Sequence, residues 1–361
     1  MREALRLAAL GQGCVEPNPM VGCVLVHGND RIGAGFHGKF GGPHAEVEAI
    51  GAASGKCVEG ATAYVTLEPC CHFGKTPPCT DALIKAKVAR VVAASCDPHA
   101  VVAGRGLARL LEAGIKVETG LLEAEARELN APYFKRIQTG QPWVIGKWAM
   151  SLDGKIATRT GHSQWISGES SRQWVHALRG RVDAVVVGIG TALADDPLLT
   201  ARPAGVRQAL RVVVDSRLRL PVQSQLAQTA RTEPLLICAG PNAPAANAAE
   251  LEALGCNVWI SPIEDRQQRL SAMLTMLVQQ SNATNILVEG GSGLLGSLFD
   301  LQQIDQCEVF IAPKLIGGMH SPSPLAGLGI DKVSKGPKLS LVQYQMHDQD
   351  MHLSYRLRWG K

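Results

Sequence analysis

His44 and Glu46 stand two residues apart in "GGPHAEVEAI" (41–50), and "LEPCCHFGKTPPC" (67–79) then brings Cys70, Cys71, His72 and Cys79. Two thiolates and a neutral imidazole suit a tetrahedral zinc ion and leave one corner open to water. Zinc lowers the pKa of such a water to about 7, which makes hydroxide available at neutral pH. A carboxylate near the metal but not bound to it can take the water's proton and pass it on. Residue types and spacing therefore point to zinc-assisted hydrolysis, with His44, Cys70 and Cys79 as ligands and Glu46 as proton carrier.

The run approximates the signature H-x-E…P-C-x-x-C of zinc deaminases, in which the glutamate hands its proton to the ring nitrogen and then to the leaving amine. It departs from that signature at one place. The residues "CHFGKTPP" separate Cys70 from Cys79, where the signature has two residues. Cys71 is a competing ligand; Cys70 is preferred because it directly follows Pro69 in the strand-ending "LEPC". The bland alternative is a closed structural zinc site with Cys71 or His72 as fourth ligand. Such a site has no use for a glutamate two residues after the histidine.

Elements must hold these groups. Pro43 and Pro78 each sit just before a ligand and suit the first turn of a helix, one from Pro43 to about Ala53 and one over "PPCTDALIKAKV". Their N-termini would face the metal and favour thiolate. "MVGCVLVHG" and "RIGAGFH" form a strand pair around "HGND"; "ATAYVTLEP" and "RVVAASCDP" are strands, and "GLARLLEAGIKVETG" is a helix and a strand. This alternation indicates an α/β sheet. The polar segment "FKRIQTGQPW" (134–143) marks a domain boundary, after which the pattern restarts. Strands "WVIGKWAMSLDG", "DAVVVGIG", "LRVVVDS", "PLLICAG", "NVWIS" and "NILVE" alternate with helices "GESSRQWVHALRG" and "LSAMLTMLVQQ", and the tail reads as a hairpin. In "GGSGLLG", Gly291, Gly293 and Gly296 satisfy G-x-G-x-x-G. The loop comes late, without an early βαβ unit and acid, so an orthodox Rossmann fold does not follow. Its N–H groups at a helix start can still cradle a pyrophosphate.

The whole chain agrees. Its 361 residues suggest two domains, and 46% hydrophobic with 19% charged residues is a globular composition. No apolar run reaches the ~18 residues of a membrane span, and "MREALRLAAL" reads as an amphipathic helix rather than a signal peptide. Seven of the ten cysteines (Cys14, Cys23, Cys57, Cys70, Cys71, Cys79, Cys96) cluster early, which favours metal binding in the cytoplasm over a disulfide framework. A net charge of +4 without a basic run argues against nucleic acid and for small anionic ligands.

"PNPMVGCVLV", "HAEV", "VTLEPCCHFGKTPPC" and "VAGRGL" resemble the deaminase domain of the bifunctional riboflavin-biosynthesis deaminase–reductases. "SLDGKIAT", "SQWIS", "ADDPLLTAR", "VEGGSGLLGS" and "APKLIGG" resemble their reductase domain. The resemblance implies a cytidine-deaminase-like three-layer domain over 1–140 and a dihydrofolate-reductase-like domain over 141–361. It implies two activities: zinc-dependent deamination of a phosphoribosylated diaminopyrimidinone, then NADPH reduction of the ribosyl to a ribityl chain. It also implies a homo-oligomer, dimer or tetramer, acting on phosphoribosylated pyrimidines without nucleic acid or membrane.

By the same resemblance Asn18 grips the pyrimidine edge, which its amide can both donate to and accept from, while His37 and Lys75 meet the ribose phosphate. Ala149, Trp165, Thr191, Asp195, Ser216 and the loop Gly291, Ser292, Gly293, Leu294, Leu295, Gly296, Ser297 are expected along NADPH. Ser163, Arg179, Leu199, Arg202 and Glu289 are expected to face substrate, with Arg179 and Arg202 as bidentate phosphate clamps. Lys147 and Glu289 are candidates for polarising or protonating the opened ribosyl group. At 97–100 the chain reads "DPHA" where the family often has "DPNP", so the contact made there by the family's amide is not carried to His99. Two rival readings are a nucleic-acid base deaminase with an appended nucleotide-binding domain and a non-catalytic zinc module that senses nucleotide.

Overall fold

The computed structural model describes residues 1–360, which divide into one unit over Met1–Gln141 and a second from Pro142 onward. The first unit runs α1 (Arg2–Ala9), β1 (Gly22–His27), β2 (Asp30–Phe36), α2 (Ala45–Ala52), β3 (Thr62–Val65), α3 (Cys79–Lys85), β4 (Arg90–Ala93), α4 (Arg105–Glu112), β5 (Lys116–Thr119), α5 (Glu123–Leu129) and α6 (Ala131–Thr139). Its sheet order is β2-β1-β3-β4-β5, with β1 antiparallel to both neighbours and β3, β4 and β5 parallel.

Glycines set the layer spacing. A Cβ on Gly33 would lie 2.2 Å from the Ala49 carbonyl oxygen, and one on Gly22 would lie 2.0 Å from that of Ala4. Cys23 pairs with Gly35, so α2 presses on one face of the hairpin while α1 presses through Gly22 on the other. On the α2 face, Cys23, Leu25, Ala63 and Val65 pack with Ala45, Ala49, Leu83 and Leu110. Each fully buried Val or Leu there contributes about 1.5–3 kcal/mol. This packing fixes the start of α2, which carries Glu46.

Two local expectations shift. The ligand-bearing helices begin later than their prolines suggest: α2 starts at Ala45 with His44 as N-cap, and α3 starts at Cys79 with Pro78 extended (ψ 135) before it. Residues 134–139, expected in a polar boundary segment, belong to α6, which ends at Gly140 with φ 67. Their polarity is the solvent side of a helix whose Tyr133 and Phe134 bury against Leu67.

The second unit runs β6 (Trp143–Ser151), α7 (Glu169–Arg179), β7 (Ala184–Gly188), α8 (Ile189–Asp195), β8 (Leu210–Val214), α9 (Gln225–Gln228), β9 (Leu235–Ala239), α10 (Ala245–Ala253), β10 (Asn257–Ile260), α11 (Arg266–Ser281), β11 (Asn285–Glu289), α12 (Ser292–Asp300), β12 (Gln306–Ala312), β13 (Lys338–His347) and β14 (Asp350–Arg358). The sheet order is β10-β9-β8-β7-β11-β6-β12-β14-β13. Strands β10 through β12 run parallel, and the hairpin of β13 and β14 joins antiparallel. Near-continuous apolar strands such as "AVVVG" and "LLICA" suit a sheet buried on both faces. Strand β12 escaped the sequence pattern because it too is buried on both sides and shows no alternation. In this sheet Lys147 is the register partner of Glu289, and both line a cleft of about 1060 Å³.

Candidate active sites

In the first unit, His44 Nδ1, Cys70 Sγ and Cys79 Sγ lie within 4.8 Å of one another. Three pieces of chain bring them together: the N-cap of α2, the loop after β3 and the first turn of α3. His44 Nδ1 is 3.1 Å from Cys79 Sγ and 3.5 Å from Cys70 Sγ. The backbone N–H of Cys79 donates to Cys70 Sγ at 3.3 Å, as a helix start can to an anion. Cys70 is held well below an ordinary thiol, first by the hydrogen bond from the Cys79 thiol and then by His44. A thiolate, a second thiol and an imidazole nitrogen in one cluster fit a zinc ion.

Glu46 is 3% exposed beside this cluster. Burial, and after it the Cys70 thiolate, push its carboxyl up to about 7. Such a group holds or releases a proton at neutral pH. Cys71 and His72 stand apart: the Cys71 thiol points to the Val101 carbonyl at 3.9 Å, and His72 is exposed. Among the described residues the cluster contains no fourth metal-binding side chain. His44 Nε2 meets the Thr76 hydroxyl at 3.4 Å, a partner that orients the ring.

Asn18 and His37 are neighbours here. Asn18 Nδ2 is 3.3 Å from His37 Nε2, and His37 Nδ1 is 2.9 Å from the Pro43 carbonyl. A carbonyl only accepts, so His37 carries its proton on Nδ1 and accepts the Asn18 N–H on Nε2. His37 is 2% exposed, and burial lowers its pKa. Both nitrogens of this neutral imidazole are engaged, one of them with the Asn18 amide. Lys75 is exposed and lies over the Phe40 ring at 3.9 Å.

In the second unit the cleft gathers Lys147, Ala149, Ser163, Trp165, Arg179, Thr191, Asp195, Leu199, Arg202, Glu289 and the loop from Gly291 to Leu295. Arg179 is not a free phosphate fork. Its Nε donates to Glu289 Oε1 at 2.5 Å and its Nη2 to Oε2 at 2.9 Å. Burial pushes Glu289 up, but Arg179 outweighs it and holds the carboxyl below its usual range. Lys147 lies beside the pair with its pKa lowered by burial. Arg202 remains exposed at the rim. Trp165 is 63% exposed with the Arg172 guanidinium 4.6 Å over its ring, so it is no core residue.

Three of the residues expected along NADPH make contacts within the protein itself. The Ser216 hydroxyl accepts from Arg269 Nη2 at 3.0 Å in a small pocket that shares Val214 and Arg266 with the large cleft. Gly296 packs closely, since a Cβ there would lie 1.4 Å from the Ala326 carbonyl oxygen. Ser297 uses its hydroxyl on Gly293 within α12 at 2.7 Å. Leu294 and Leu295 bury their side chains in the core, which leaves only their backbone to the cleft.

Sequence reasoning missed several residues. His176 lines the cleft with Nδ1 3.0 Å from the Thr200 carbonyl. Its spacing of three from Arg179 on one helix face could have revealed it. Arg172 and Arg266 also line the cleft. Asn130 binds the backbone of Met20 from far along the chain, and no local signal announces it.

With this geometry in hand, comparison with known proteins is informative. The sequence profile of the RibD C-terminal domain matches residues 142–353, and that of the cytidine and deoxycytidylate deaminase zinc-binding region matches residues 1–95. The riboflavin biosynthesis protein RibD of Actinobacillus pleuropneumoniae is 41% identical over 355 residues, covering 98% of this chain and 94% of that one. RibD of Escherichia coli strain K12 is 39% identical over 378 residues, covering 98% of each. Among solved structures, Acinetobacter baumannii RibD superposes with a TM-score of 0.86 at 37% identity, covering 99% of this chain and 97% of that one. The diaminohydroxyphosphoribosylaminopyrimidine deaminase/5-amino-6-(5-phosphoribosylamino)uracil reductase of Thermotoga maritima gives 0.83 at 34% identity, with the same coverage. The two units thus have the cytidine-deaminase-like and RibD-reductase folds that the sequence led us to expect.

Proposed function

The chain belongs to the RibD family of bifunctional riboflavin-biosynthesis proteins, and on that premise we propose which of its residues carry each activity. It is a deaminase and a reductase, with zinc serving the first reaction and NADPH the second. The match over both halves removes the base-deaminase and sensor readings.

His44, Cys70 and Cys79 hold the zinc ion. Bound zinc supplies the Lewis acidity that makes water a nucleophile near pH 7. Glu46 would take one proton from the attacking water and deliver it to the pyrimidine ring nitrogen, then take the second from the resulting hydroxyl and deliver it to the amino group, which leaves as ammonia. Asn18, oriented by His37, grips the pyrimidine edge. Lys75 meets the ribose phosphate as a mobile point charge. The observation that carries this half is the three-atom cluster with the buried Glu46 carboxyl beside it.

In the reductase, NADPH supplies the hydride. The backbone N–H groups of Gly291 to Gly293 cradle its phosphates at the start of α12. Thr191, Ala149 and Trp165 flank the cofactor. Ser163 and Leu199 shape the substrate side, and Asp195 sits at the cleft edge. Arg202 receives the substrate phosphate. Arg179 acts through Glu289, holding it ionised beside Lys147, the candidate proton donor to the opened ribosyl group.

The protein works as a homo-oligomer, in our reading. Strand β13 is an unpaired edge with Leu339, Leu341, Tyr344 and Met346 all more than half exposed. A second copy is the partner that such an edge requires. We place it in the cytoplasm, in keeping with ten cysteines of which none is joined in a disulfide. No helix among the described residues is long and apolar enough to cross a membrane.

A coupled assay tests the assignment. The zinc-loaded chain releases ammonia from the diaminopyrimidine, and only the deaminated product then oxidises NADPH. Glu46→Gln keeps zinc, lowers deamination by about 10²-fold or more, and leaves reduction of supplied uracil substrate intact. Loss of both activities in that variant would refute the division of labour. Light scattering gives the mass in solution, and a monomer would refute the oligomer.

A further inference from the structure

We propose that Asn130 is a positioning residue of the deaminase, setting the loop that carries Asn18. Asn130 is 2% exposed. Its Oδ1 accepts the Met20 N–H at 2.8 Å, and its Nδ2 donates to the Met20 carbonyl at 2.8 Å. A side-chain amide can satisfy the donor and the acceptor of one backbone residue together, as a neighbouring strand would.

Met20 closes the segment Pro17–Asn18–Pro19–Met20. The two prolines have no N–H, so only Asn18 and Met20 can donate from this stretch. Asn18 N–H bonds the Val15 carbonyl at 2.9 Å, and Met20 N–H goes to Asn130. Pro19 is a stiff spacer between the two. Rotating the loop therefore requires breaking both Asn130 contacts.

Asn130 is itself held at the junction of α5 and α6, where it ends one helix and opens the next. Its N–H bonds the Ala126 carbonyl at 3.2 Å, and its carbonyl accepts from Phe134 at 3.0 Å. Asn18 is thus gripped from two sides: its side chain by His37, and its backbone, through Met20, by Asn130. Removing the Asn130 amide orphans both buried groups of Met20 and frees the loop.

The inference rests on the reading of Asn18 as the pyrimidine contact, and the experiment separates the two. Full-length zinc-loaded protein is assayed for ammonia release as wild type, Asn18→Ala, Asn130→Ala and the double variant. Zinc content and NADPH oxidation with the deaminated substrate report integrity. Asn130→Ala raises KM about tenfold with a smaller fall in kcat, and it adds nothing in the Asn18→Ala background. Additive effects overturn the proposal, as does an unchanged KM in Asn130→Ala while Asn18→Ala is impaired. An unchanged KM in Asn18→Ala removes the reading of Asn18 and the proposal with it. If Asn130→Ala does not fold, Asn130→Asp keeps the acceptor and loses the donor. It must show the same non-additive rise in KM, and a wild-type KM overturns the proposal.

Discussion

Arg179 and Glu289 form a two-bonded ion pair at the floor of the reductase cleft, with side-chain exposures of 13% and 10%. The pair joins α7 to the end of β11, where Glu289 stands beside Lys147. An arginine in this state cannot also clamp a phosphate with the same fork.

Breaking the pair from one side should therefore damage stability as well as catalysis. Arg179→Met strips a buried carboxylate of its two hydrogen bonds and costs about 3 kcal/mol in urea unfolding. Arg179→Met/Glu289→Leu recovers most of that loss but not the reductase activity. If Arg179→Met changes only KM, the arginine serves substrate directly.

The neighbouring cysteines should separate cleanly. Cys70→Ser loses most bound zinc, because Sγ of Cys70 belongs to the cluster. Cys71→Ser keeps zinc, since its thiol faces the Val101 carbonyl. Metal counting by atomic absorption reads both, and zinc loss in Cys71→Ser would show the ligand assignment to be wrong.

Two glycines of α12 should differ. A Cβ on Gly293 meets nothing closer than the Arg266 guanidinium at 3.9 Å, whereas one on Gly296 collides with the Ala326 carbonyl. Gly296→Ala is expected to lower stability by about 1–3 kcal/mol. Gly293→Ala is expected to keep its melting temperature while weakening NADPH in an equilibrium titration. Equal NADPH binding by wild type and Gly293→Ala would take the phosphates off this loop.

Acid should release one latch between the turn after β6 and the segment after β12. Asp153 is pulled down to about 2, first by the Ser151 hydroxyl and then by the N–H groups of Ile316 and Gly317. A depressed carboxyl stabilises above its unfolded range, near 4, and this is lost as pH falls towards about 2. Hydrogen exchange at Ile316 and Gly317, corrected for intrinsic rates, should therefore accelerate over that window. Asp153→Asn should show faster exchange already at pH 7, and identical exchange in the two proteins would dismiss the latch.

The chemistry was legible in the sequence wherever it depended on residue type at short range. His44, Glu46, Cys70 and Cys79 carry donor atoms that few other side chains supply, and the glycine loop follows its strand directly. The strands and helices around them announce themselves by apolar runs and punctuation. The tertiary structure alone decided which polar groups were already spoken for. His37 spends its imidazole on Asn18 and Pro43, Arg179 spends its fork on Glu289, and Gly296 yields its space to Ala326. Asn130 reaches Met20 across 110 positions of chain. A sequence lists hydrogen-bonding capacity but not its partners, and partners are set by which elements the buried core brings within 3 Å.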